Sequence, residues 1–378
     1  MRVLLLYPYP NHRRMMETFS LLLRNTGIYN DVICVRNFDW IHNSDIPVIK
    51  VFEKLSHLQN SFRPYRYRDK YISLFNNIIM KHLFSLYDKV DIHAFRAENL
   101  YWAKKCSEWN IKYDITLWGS EVLRATEQEI KNVEWGYEGA HSIKALYKIL
   151  KRLSNVFNHK YDYKTHLVYF GNTNYDIIDN IPIEKANKIA TNLGIKIPER
   201  ITVTCGYNGM PQQQHRIIID ALQKLPEEIK QNIHVVIPMT YGFNDSYYQE
   251  IKNVLNISGL SYIILLQFLK PEELAALRIT SDIVINTQTT DAFCGALQDH
   301  LYCKNVVIIA DWLDYPEYDN NNVFYIKTSK KELYNNIKCT IEHYNELKKH
   351  SHNNKEILKK ITSWTSVLPA WIKAINYK

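Results

Sequence analysis

The stretch TDAFCGALQDHLYCKNVVI, residues 290–308, places two aspartates eight positions apart, Asp291 and Asp299, with Gly295 between them. The apolar run DIVINT precedes this stretch, and a second apolar run, NVVIIAD, begins near its end. Both runs are typical of buried β-strands, whereas FCGALQDHLYCK between them has a helical pattern. The sequence therefore predicts strand, loop, helix and strand in succession. Asp291 is expected in the loop and Asp299 in the second turn of the helix.

The same alternation of short apolar runs and helical patterns extends along the chain. In the first half the predicted strands are RVLLLY, DVICVR, VDIHAF and YDITLW, and in the second half they are THLVYFG, RITVTCG, IHVVIP and SYIILLQ. Such alternation is the signature of βαβ units and of a parallel sheet. With 378 residues, the chain exceeds the roughly 250–300 residues that one core usually holds. We therefore predict an α/β fold with two Rossmann-like domains facing across a cleft, and ligands at the carboxyl ends of the strands.

A polar, patternless segment, SNVFNHKYDYKT, marks the boundary between the two halves. We place an N-terminal domain at residues 1–160 and a C-terminal domain at residues 166–350. The remaining residues, 351–378, are predicted to form a helix that crosses back to pack on the first domain. Two local signals fix helix starts: Thr126 and Glu129 have the spacing of a capping box, and Pro271 suits a first helical turn.

Composition limits the class of protein. Hydrophobic residues make up 46% of the chain, as in folded soluble proteins, and no apolar run approaches the ~18–20 residues that span a bilayer. The start, MRVLLLYPYP, is broken too early by proline to be a signal peptide and is predicted to be a buried strand. Six scattered cysteines without a CxxC pair favour a reducing cytoplasm over a disulfide framework or a zinc site.

The charge balance favours an anionic partner. The formal net charge is +8, from 47 basic and 39 acidic residues, which suits a nucleotide, a phospholipid surface or a nucleic acid. The absence of a sustained basic patch argues against nucleic acid. In IKALYKILKRLSNVF, a helix would carry Lys144, Lys148, Lys151 and Arg152 on one side. That side is either an ordinary solvated face or a surface for anionic lipid, and the basic, tyrosine-rich RPYRYRDKY at 63–71 favours the lipid.

The pair of aspartates has two interpretations. The loop before the helix directs backbone N–H groups outward at a helix N-terminus, which suits a phosphate or a polar sugar face. One turn farther on, the Asp299 carboxylate could accept hydrogen bonds from two vicinal hydroxyls, because it offers several acceptor sites. In the other interpretation, Asp291 caps the helix and Asp299 is an unrelated exposed acid.

The stretch resembles the donor-site signature of retaining glycosyltransferases of the GT-B architecture, especially the GT4-like group, in which two acids are separated by seven residues. Both acids are aspartate here, where the family more often has glutamate. The segment VTCGYNGMPQQQHRIIIDAL is similar to the strand, glycine turn and helix that open the family's donor domain. The segment ITLWGSEVLR is similar to the loop of the first domain that ends in Gly-Ser-acid.

The resemblance implies a hexosyltransferase that acts without a metal ion or other cofactor, and the sequence contains no Asp-x-Asp motif and no metal-ligand spacing. Its donor would be a nucleotide diphosphate sugar, with UDP favoured as the nucleotide. Its acceptor would be a saccharide or a lipid-linked saccharide in cell-surface polysaccharide synthesis. The protein would be cytoplasmic and peripheral at the inner face of the membrane.

The resemblance also assigns residues to roles. The catalytic residues would be Asp291 and His93. The donor-binding residues would be Gly206, Asn208, Gly209, His215, Arg216, Tyr241, Gly242, Phe293, Cys294, Gly295 and Asp299. The acceptor-binding residues would be His12, Arg13, Gly119, Ser120 and Glu121.

One departure from the family keeps alternatives open. Family members usually carry an arginine and a lysine near the glycine turn to neutralise the diphosphate, whereas this chain has Gly206, Tyr207, Asn208 and Gly209 followed by MPQQQHR. Either His215 or Arg216 replaces the lysine, or the site is weakened. A weakened site would suit a catalytically silent homologue that binds glycan or stabilises a partner. A third candidate is another two-domain sugar-nucleotide enzyme, such as a 2-epimerase.

Overall fold

The structure is a computed structural model that describes residues 1–8, 12–34, 39–41, 77–78, 80–96 and 98–377. The basic stretch at 63–71 lies outside the described residues. The chain divides into two compact units, Met1–Tyr169 with Leu368–Lys378, and Phe170–Val367.

The first unit is built on a seven-stranded sheet in the order β3-β2-β1-β4-β5-β6-β7, in which all neighbours are parallel except β2 and β3. Its strands are β1 Arg2–Tyr7, β2 Tyr29–Cys34, β3 Asp39–Ile41, β4 Lys89–His93, β5 Tyr113–Thr116, β6 Ser142–Ala145 and β7 Thr165–Leu167. Its helices are α1 Arg13–Asn25, α2 Glu98–Glu108, α3 Ser120–Leu123, α4 Glu127–Asn132, α5 Glu134–Gly139 and α6 Tyr147–Val156. The interior strand β1 is buried from Val3 to Tyr7, as expected of a parallel strand covered on both faces.

The second unit is built on a six-stranded parallel sheet in the order β10-β9-β8-β11-β12-β13. Its strands are β8 Ile201–Cys205, β9 Ile233–Pro238, β10 Tyr262–Leu265, β11 Ile283–Asn286, β12 Val306–Ala310 and β13 Ile326–Thr328. The helices numbered after α6 are α7 Tyr175–Asn180, α8 Ile183–Asn192, α9 His215–Leu222, α10 Glu227–Gln231, α11 Asp245–Asn256, α12 Pro271–Thr280, α13 Gly295–Tyr302, α14 Pro316–Asp319, α15 Leu333–Glu342, α16 Tyr344–His350, α17 Asn354–Thr362 and α18 Trp364–Ile375.

The predicted α/β class is confirmed, with one parallel sheet and one that is parallel except at β3, and so are two helix starts. The Thr126 side chain accepts from the Glu129 backbone N–H while the Glu129 carboxylate accepts from the Thr126 N–H, which is a complete capping box before α4. Pro271 is the first residue of α12. At that position its missing N–H costs nothing.

The strand predicted to open the second half belongs instead to the first sheet. β7, at Thr165–Leu167, pairs in parallel with β6, and the first unit accordingly extends to Tyr169. The polar segment before it is therefore a connection within one sheet. Near the end of the chain, residues up to Val367 belong to the second unit, and the segment from Leu368 onward is grouped with the first.

The predicted basic helix face is wrong at two positions. Lys144 lies on strand β6, where its side chain is fully buried and pairs with Asp91 at 3.1 Å and with Asp114 at 2.8 Å. Arg152 lies on α6 but donates to the carbonyls of Leu123 and Ala125. The prediction failed because the spacing of apolar residues and lysines continues from the short strand β6 into helix α6, so that the two elements together resemble one helix.

Lys144 is part of a buried ionic cluster on one face of the first sheet. Lys89 Nζ lies 2.6 Å from Asp114 Oδ2, and Thr116 donates to Asp91 Oδ1 at 2.8 Å. The lysines hold the pKa of both carboxyl groups well below the usual range against the opposing effect of burial. Buried charges require such partners, because an unpaired one would be strongly destabilising.

Candidate functional site

Three loops of the second unit meet at the carboxyl edge of its sheet. They follow β8, β9 and β11, and the strand order changes direction between β8 and β11. In open parallel sheets, such a switch point is where ligands bind. A cavity of about 220 Å³ lies in this unit, lined by Asn174, Tyr207, Pro238, Thr240, Tyr241, Phe268, Leu269, Leu274, Leu277, Arg278, Gly295, Ala296 and Asp299.

Asp299 lies in the second turn of α13, as predicted, and its side chain forms part of the cavity wall. The residue is only 1% exposed, which excludes the interpretation of an exposed acid. Its Oδ1 accepts a hydrogen bond from Asn172 Nδ2 at 2.7 Å, and its Oδ2 accepts one from Asn174 Nδ2 at 2.8 Å. The carboxylate is therefore fixed in plane and direction.

Burial raises the pKa of Asp299, while Arg278 and the two asparagine amides oppose that rise. Arg278 Nε lies 3.5 Å from Asp299 Oδ2. A carboxylate that is buried, paired with a cation and exposed to a cavity on one side is typical of ligand-binding sites.

Arg278 is the basic residue of the cavity that the sequence analysis missed. It comes from α12, where it follows Ala275, Ala276 and Leu277, and it is only 4% exposed. Its Nη1 donates to His300 Nε2 at 2.6 Å, and burial together with Arg278 lowers the pKa of His300 well below its usual value. The signal was present in ELAALRIT, because an arginine among buried alanines and leucines needs a polar partner.

Asp291 lies in the loop before α13, also as predicted. Its Oδ2 accepts from the Cys294 backbone N–H at 3.1 Å and from the hydroxyl of Tyr315. The capping interpretation therefore describes a real contact. It also means that the N–H of Cys294, predicted to bind the donor, is bonded to Asp291. Phe293 packs on Tyr318, with ring centroids 5.2 Å apart.

Gly295 keeps open the space at the start of α13. A Cβ built on it would meet no atom within 4 Å, and the residue lines the cavity. Burial and the nearby Asp291 raise the pKa of the Cys294 thiol to about 12, so this neighbour of Gly295 stays neutral.

The glycine turn after β8 is tightly packed. Gly206 has φ +67°, and a Cβ there would lie 2.8 Å from Gln213 Oε1 and 2.9 Å from His215 Nε2. Gly209 N–H donates to the Tyr241 carbonyl at 2.8 Å, and Asn208 Oδ1 accepts from Met210 N–H at 2.9 Å. The bond between Gly209 and Tyr241 joins the turn to the loop after β9, so the two loops together form one wall of the cavity.

The loop after β9 needs its glycine. Gly242 has φ +79°, and a Cβ on it would lie 2.6 Å from the Met210 side chain. Tyr241 before it is partly exposed and lines the cavity. This loop therefore brings an aromatic ring to the cavity through a backbone conformation that favours glycine.

His215, the first residue of α9, is fully buried and held by Tyr247. The Tyr247 hydroxyl accepts from the His215 backbone N–H at 3.3 Å and lies 3.0 Å from His215 Nδ1. In this second contact either the hydroxyl or the imidazole can be the donor, depending on the tautomer of His215. Burial lowers the pKa of His215 to about 4, so at neutral pH this residue carries no positive charge.

Arg216, the other predicted substitute for lysine, lies on the exposed surface of α9. Its Nε donates to Asp220 Oδ1 at 2.7 Å, one helical turn along. The Arg216 guanidinium thus forms an i,i+4 ion pair of the kind common on helix surfaces.

In the first unit, His93 ends β4 and is fully buried. Trp118 Nε1 donates to His93 Nδ1 at 3.3 Å, and the Trp371 ring stacks on His93 at 6.3 Å. His12 packs against Trp118 with ring centroids 4.7 Å apart, and burial lowers its pKa to about 4. The two histidines, predicted for catalysis and for acceptor binding, are thus brought together around Trp118.

The predicted Gly-Ser-acid loop forms the start of α3. The Glu121 carboxylate accepts from the backbone N–H groups of Trp118 at 2.6 Å and Gly119 at 3.0 Å, and burial raises its pKa. Ser120 accepts from Arg96 Nη1 at 2.9 Å. Arg13, by contrast, is exposed and pairs with Glu17 at 2.7 Å.

The described residues contain neither a metal-ligand cluster nor a membrane-spanning helix. No group of three or more His, Cys, Asp or Glu side chains within residues 1–8, 12–34, 39–41, 77–78, 80–96 and 98–377 is placed to hold a metal ion. In the same part of the chain, no helix has the length and apolar character needed to cross a membrane.

The fold matches that of solved GT-B glycosyltransferases. A glycosyltransferase from Rickettsia africae ESF-5 superposes with a TM-score of 0.71 at 15% identity, covering 100% of this chain and 99% of that one. HepE from Anabaena, solved with UDP and glucose, gives 0.68 at 14% identity and covers 99% of both chains. Sucrose-phosphate synthase from Thermosynechococcus elongatus gives 0.71 at 13% identity, covering 99% of this chain and 98% of that one.

Because these sequence identities are only 13–15%, the similarity to the three solved structures is one of fold alone. No protein-family model matches the sequence, and a search of curated proteins found no match.

Proposed function

We propose that the protein is a glycosyltransferase of the GT4-like group that moves a hexosyl unit from a nucleotide diphosphate sugar to a saccharide acceptor. The observation that carries the proposal is the buried Asp299 carboxylate, aimed into a cavity at the switch point of the second sheet. A nucleotide sugar has the features that such a site recognises, namely a planar base, a ribose with vicinal hydroxyls and a charged diphosphate.

The nucleotide occupies the cavity, with ribose hydroxyls donating to Asp299. Tyr207, Tyr241 and Phe268 offer ring faces for the base. UDP is the favoured nucleotide, and the Anabaena HepE structure, which contains UDP and glucose, supports this choice. Asp299 offers acceptors only, because a carboxylate that is ionised cannot donate. A ribose hydroxyl is therefore a better partner for it than a carbonyl of the base.

Catalysis depends on the groups around Asp291. Negative charge develops on the diphosphate as the bond between sugar and phosphate breaks, and donors placed in advance stabilise that charge. The N-termini of α13 and α9 and the neutral imidazole of His215 supply such donors. Asp291 holds the transferred sugar. No step of this scheme requires a metal ion.

Five further parts of the proposal rest on the resemblance. The reaction proceeds with retention of configuration, and His93 contributes to it from the first unit. The residues His12, Arg13, Gly119, Ser120 and Glu121 contact the acceptor. The acceptor is a saccharide or lipid-linked saccharide of cell-surface polysaccharide synthesis, reached at the cytoplasmic face of the membrane.

A binding experiment followed by a turnover experiment tests this function. Thermal unfolding of the full chain is measured with UDP, GDP and TDP, for the wild type and for Asp299→Ala. We expect one nucleotide to raise the Tm of the wild type by several degrees and that of the variant by much less. Release of the nucleotide from its sugar in the presence of saccharide acceptors then tests transfer. If no nucleotide raises the Tm of the wild type, the proposal fails.

The alternative, a catalytically silent homologue, is favoured by one observation. Neither His215 nor Arg216 presents a charge at the glycine turn, since the first is neutral and the second pairs with Asp220. The silent homologue predicts nucleotide binding without release from any sugar nucleotide, or binding of glycan alone. The same two experiments therefore separate it from the transferase.

A further inference from the structure

The Asp299 carboxylate is surrounded by donors from two separate segments of the second unit. Asn172 and Asn174, just before α7, each donate to a different carboxylate oxygen, at 2.7 and 2.8 Å. Arg278 from α12 places its Nε 3.5 Å from the oxygen that Asn174 also contacts. Asn174 and Arg278 line the same cavity as Asp299.

A carboxyl group this deeply buried would take up a proton if it stood alone, because burial disfavours its charged form. A protonated carboxyl would offer one donor in place of an acceptor. Arg278 opposes protonation through its charge, and the two amides oppose it by donating to the ionised form. Arg278 gains as well, since a buried guanidinium without a counter-charge is strongly destabilising.

We propose that Arg278, Asn172 and Asn174 are positioning residues that keep the Asp299 carboxylate ionised and aimed into the cavity, where it accepts hydrogen bonds from ligand hydroxyls. This inference rests on the proposed function, since the ligand is the ribose of a nucleotide diphosphate. The inference places a positively charged residue, Arg278, in the site. Arg278 lies beside Asp299, which accepts from the ribose, and not at the glycine turn. The three residues act through Asp299, so their loss changes the pH at which the site binds.

Three other titratable groups near Asp299, His300, Cys303 and Tyr175, stay neutral between pH 5 and 8. His300 beside it is neutral, because burial and Arg278 lower its pKa well below the usual value. Burial raises the pKa of the Cys303 thiol and of the Tyr175 hydroxyl, so both also stay neutral. Lys355, on the neighbouring helix α17, is paired with Asp179 at 2.7 Å. In the wild type, a pH dependence in this range therefore reports on Asp299. The double variant Arg278→Met/Asp299→Asn, titrated with UDP alongside, separates any contribution of His300 to Arg278→Met, because Arg278 also lowers the pKa of His300.

The test is a calorimetric titration of the full chain with UDP between pH 5 and pH 8.5. Relative to the wild type, Arg278→Met is expected to bind UDP at least tenfold more weakly at pH 6 and less than threefold more weakly at pH 8.5. Arg278→Lys should stay within about threefold at every pH, and Asp299→Asn should bind weakly at every pH. Taking the ratio to the wild type cancels the ionisation of UDP itself. Equal weakening of Arg278→Met at all pH values, or none, would overturn the inference.

A second measurement without nucleotide separates this inference from the proposed function. A carboxyl group whose pKa is raised by folding lowers stability as the pH rises, because the folded state then binds more protons than the unfolded state. Urea unfolding of Arg278→Met should thus lose stability from pH 5 to 8 relative to the double variant Arg278→Met/Asp299→Asn. Parallel curves would contradict the inference even if UDP binds. If Arg278→Met does not fold, the pair Asn172→Ala/Asn174→Ala replaces it, with the same direction expected.

Discussion

Asn174 Nδ2 lies 2.8 Å from Asp299 Oδ2, although the two residues are 125 positions apart in the chain. This bond, with its counterpart from Asn172, ties helix α13 to the short segment that opens the second unit. The acid that the spacing of residues 290–308 singles out is thus oriented by residues that no motif marked. The candidate site is a property of the folded unit as much as of the motif.

The two aspartates should divide binding from turnover. Asp291→Asn removes a charge from the sugar side of the site while keeping its size, so we expect release of UDP from a UDP-sugar to fall at least a hundredfold, which corresponds to roughly 3 kcal/mol of transition-state stabilisation. The Kd for UDP, measured by calorimetry, should change less than threefold.

Asp314→Asn is a suitable control, because Asp314 is exposed and lies in the same region of the chain. It should change neither quantity. Loss of UDP binding in Asp291→Asn would show that Asp291 serves the nucleotide and would contradict the division of roles.

The glycine turn should tolerate no side chain at Gly206. Gly206→Ala places a methyl group in a left-handed backbone conformation and within 2.9 Å of two polar atoms, so we expect a cost of about 1–3 kcal/mol in unfolding free energy. UDP binding should weaken at the same time, since the turn forms one wall with the loop after β9. Gly295→Ala is the matched control for stability, because its methyl group enters open space. Equal unfolding midpoints for the two variants in urea would refute this reading of the turn.

Acid should destabilise the second unit in part through His215. Its folded pKa, about 4, lies below the ordinary value of 6.5, so the unfolded state binds the proton more readily and stability falls as the pH drops from 6.5 towards 4. At pH 5 the loss from this residue amounts to about 2 kcal/mol.

His215→Gln should remove that portion of the acid sensitivity, as measured by urea unfolding at pH 7 and pH 5. Tyr247→Phe, which leaves the imidazole in place, should retain the sensitivity. An unchanged difference between the two pH values in His215→Gln would mean that the histidine is not held neutral.

The ionic cluster of the first unit should be far more sensitive than its surface charges. Asp114→Asn leaves Lys89 and Lys144 buried with one carboxylate fewer, and breaking a buried pair of this kind costs roughly 3–5 kcal/mol. Glu127→Gln removes an exposed i,i+4 pair with Lys131 and should have no measurable effect on urea unfolding. A small effect of Asp114→Asn would show that the cluster contains charges that water already screens.

Regular elements of this protein are largely predictable from its sequence. Periodicity places the strands around DIVINT and NVVIIAD and the helix with Asp299, because each of these elements buries apolar residues at its own spacing. It fails where the pattern is shared, as in SIKALYKIL, where a strand with a buried lysine runs directly into a helix. Only the neighbouring carboxylates, Asp91 and Asp114, make a buried Lys144 acceptable, and their proximity depends on the order of strands in the sheet.

The site divides in the same way. The positions of Asp291, Asp299 and the glycine turn are predictable from the sequence, because they follow from the boundaries of neighbouring strands and helices. Arg278, Asn172 and Asn174 are not, because they reach Asp299 through the tertiary fold. The sequence analysis looked for a positively charged residue at the glycine turn, and therefore did not consider Arg278 on α12.

A crystal structure of the chain with UDP tests the central claim most directly. We predict UDP in the cavity of the second unit, with a ribose hydroxyl within hydrogen-bond distance of Asp299 and the diphosphate directed towards the glycine turn. UDP bound elsewhere on the chain, or an empty cavity at millimolar UDP, would contradict the assignment of this cavity as a nucleotide-sugar site.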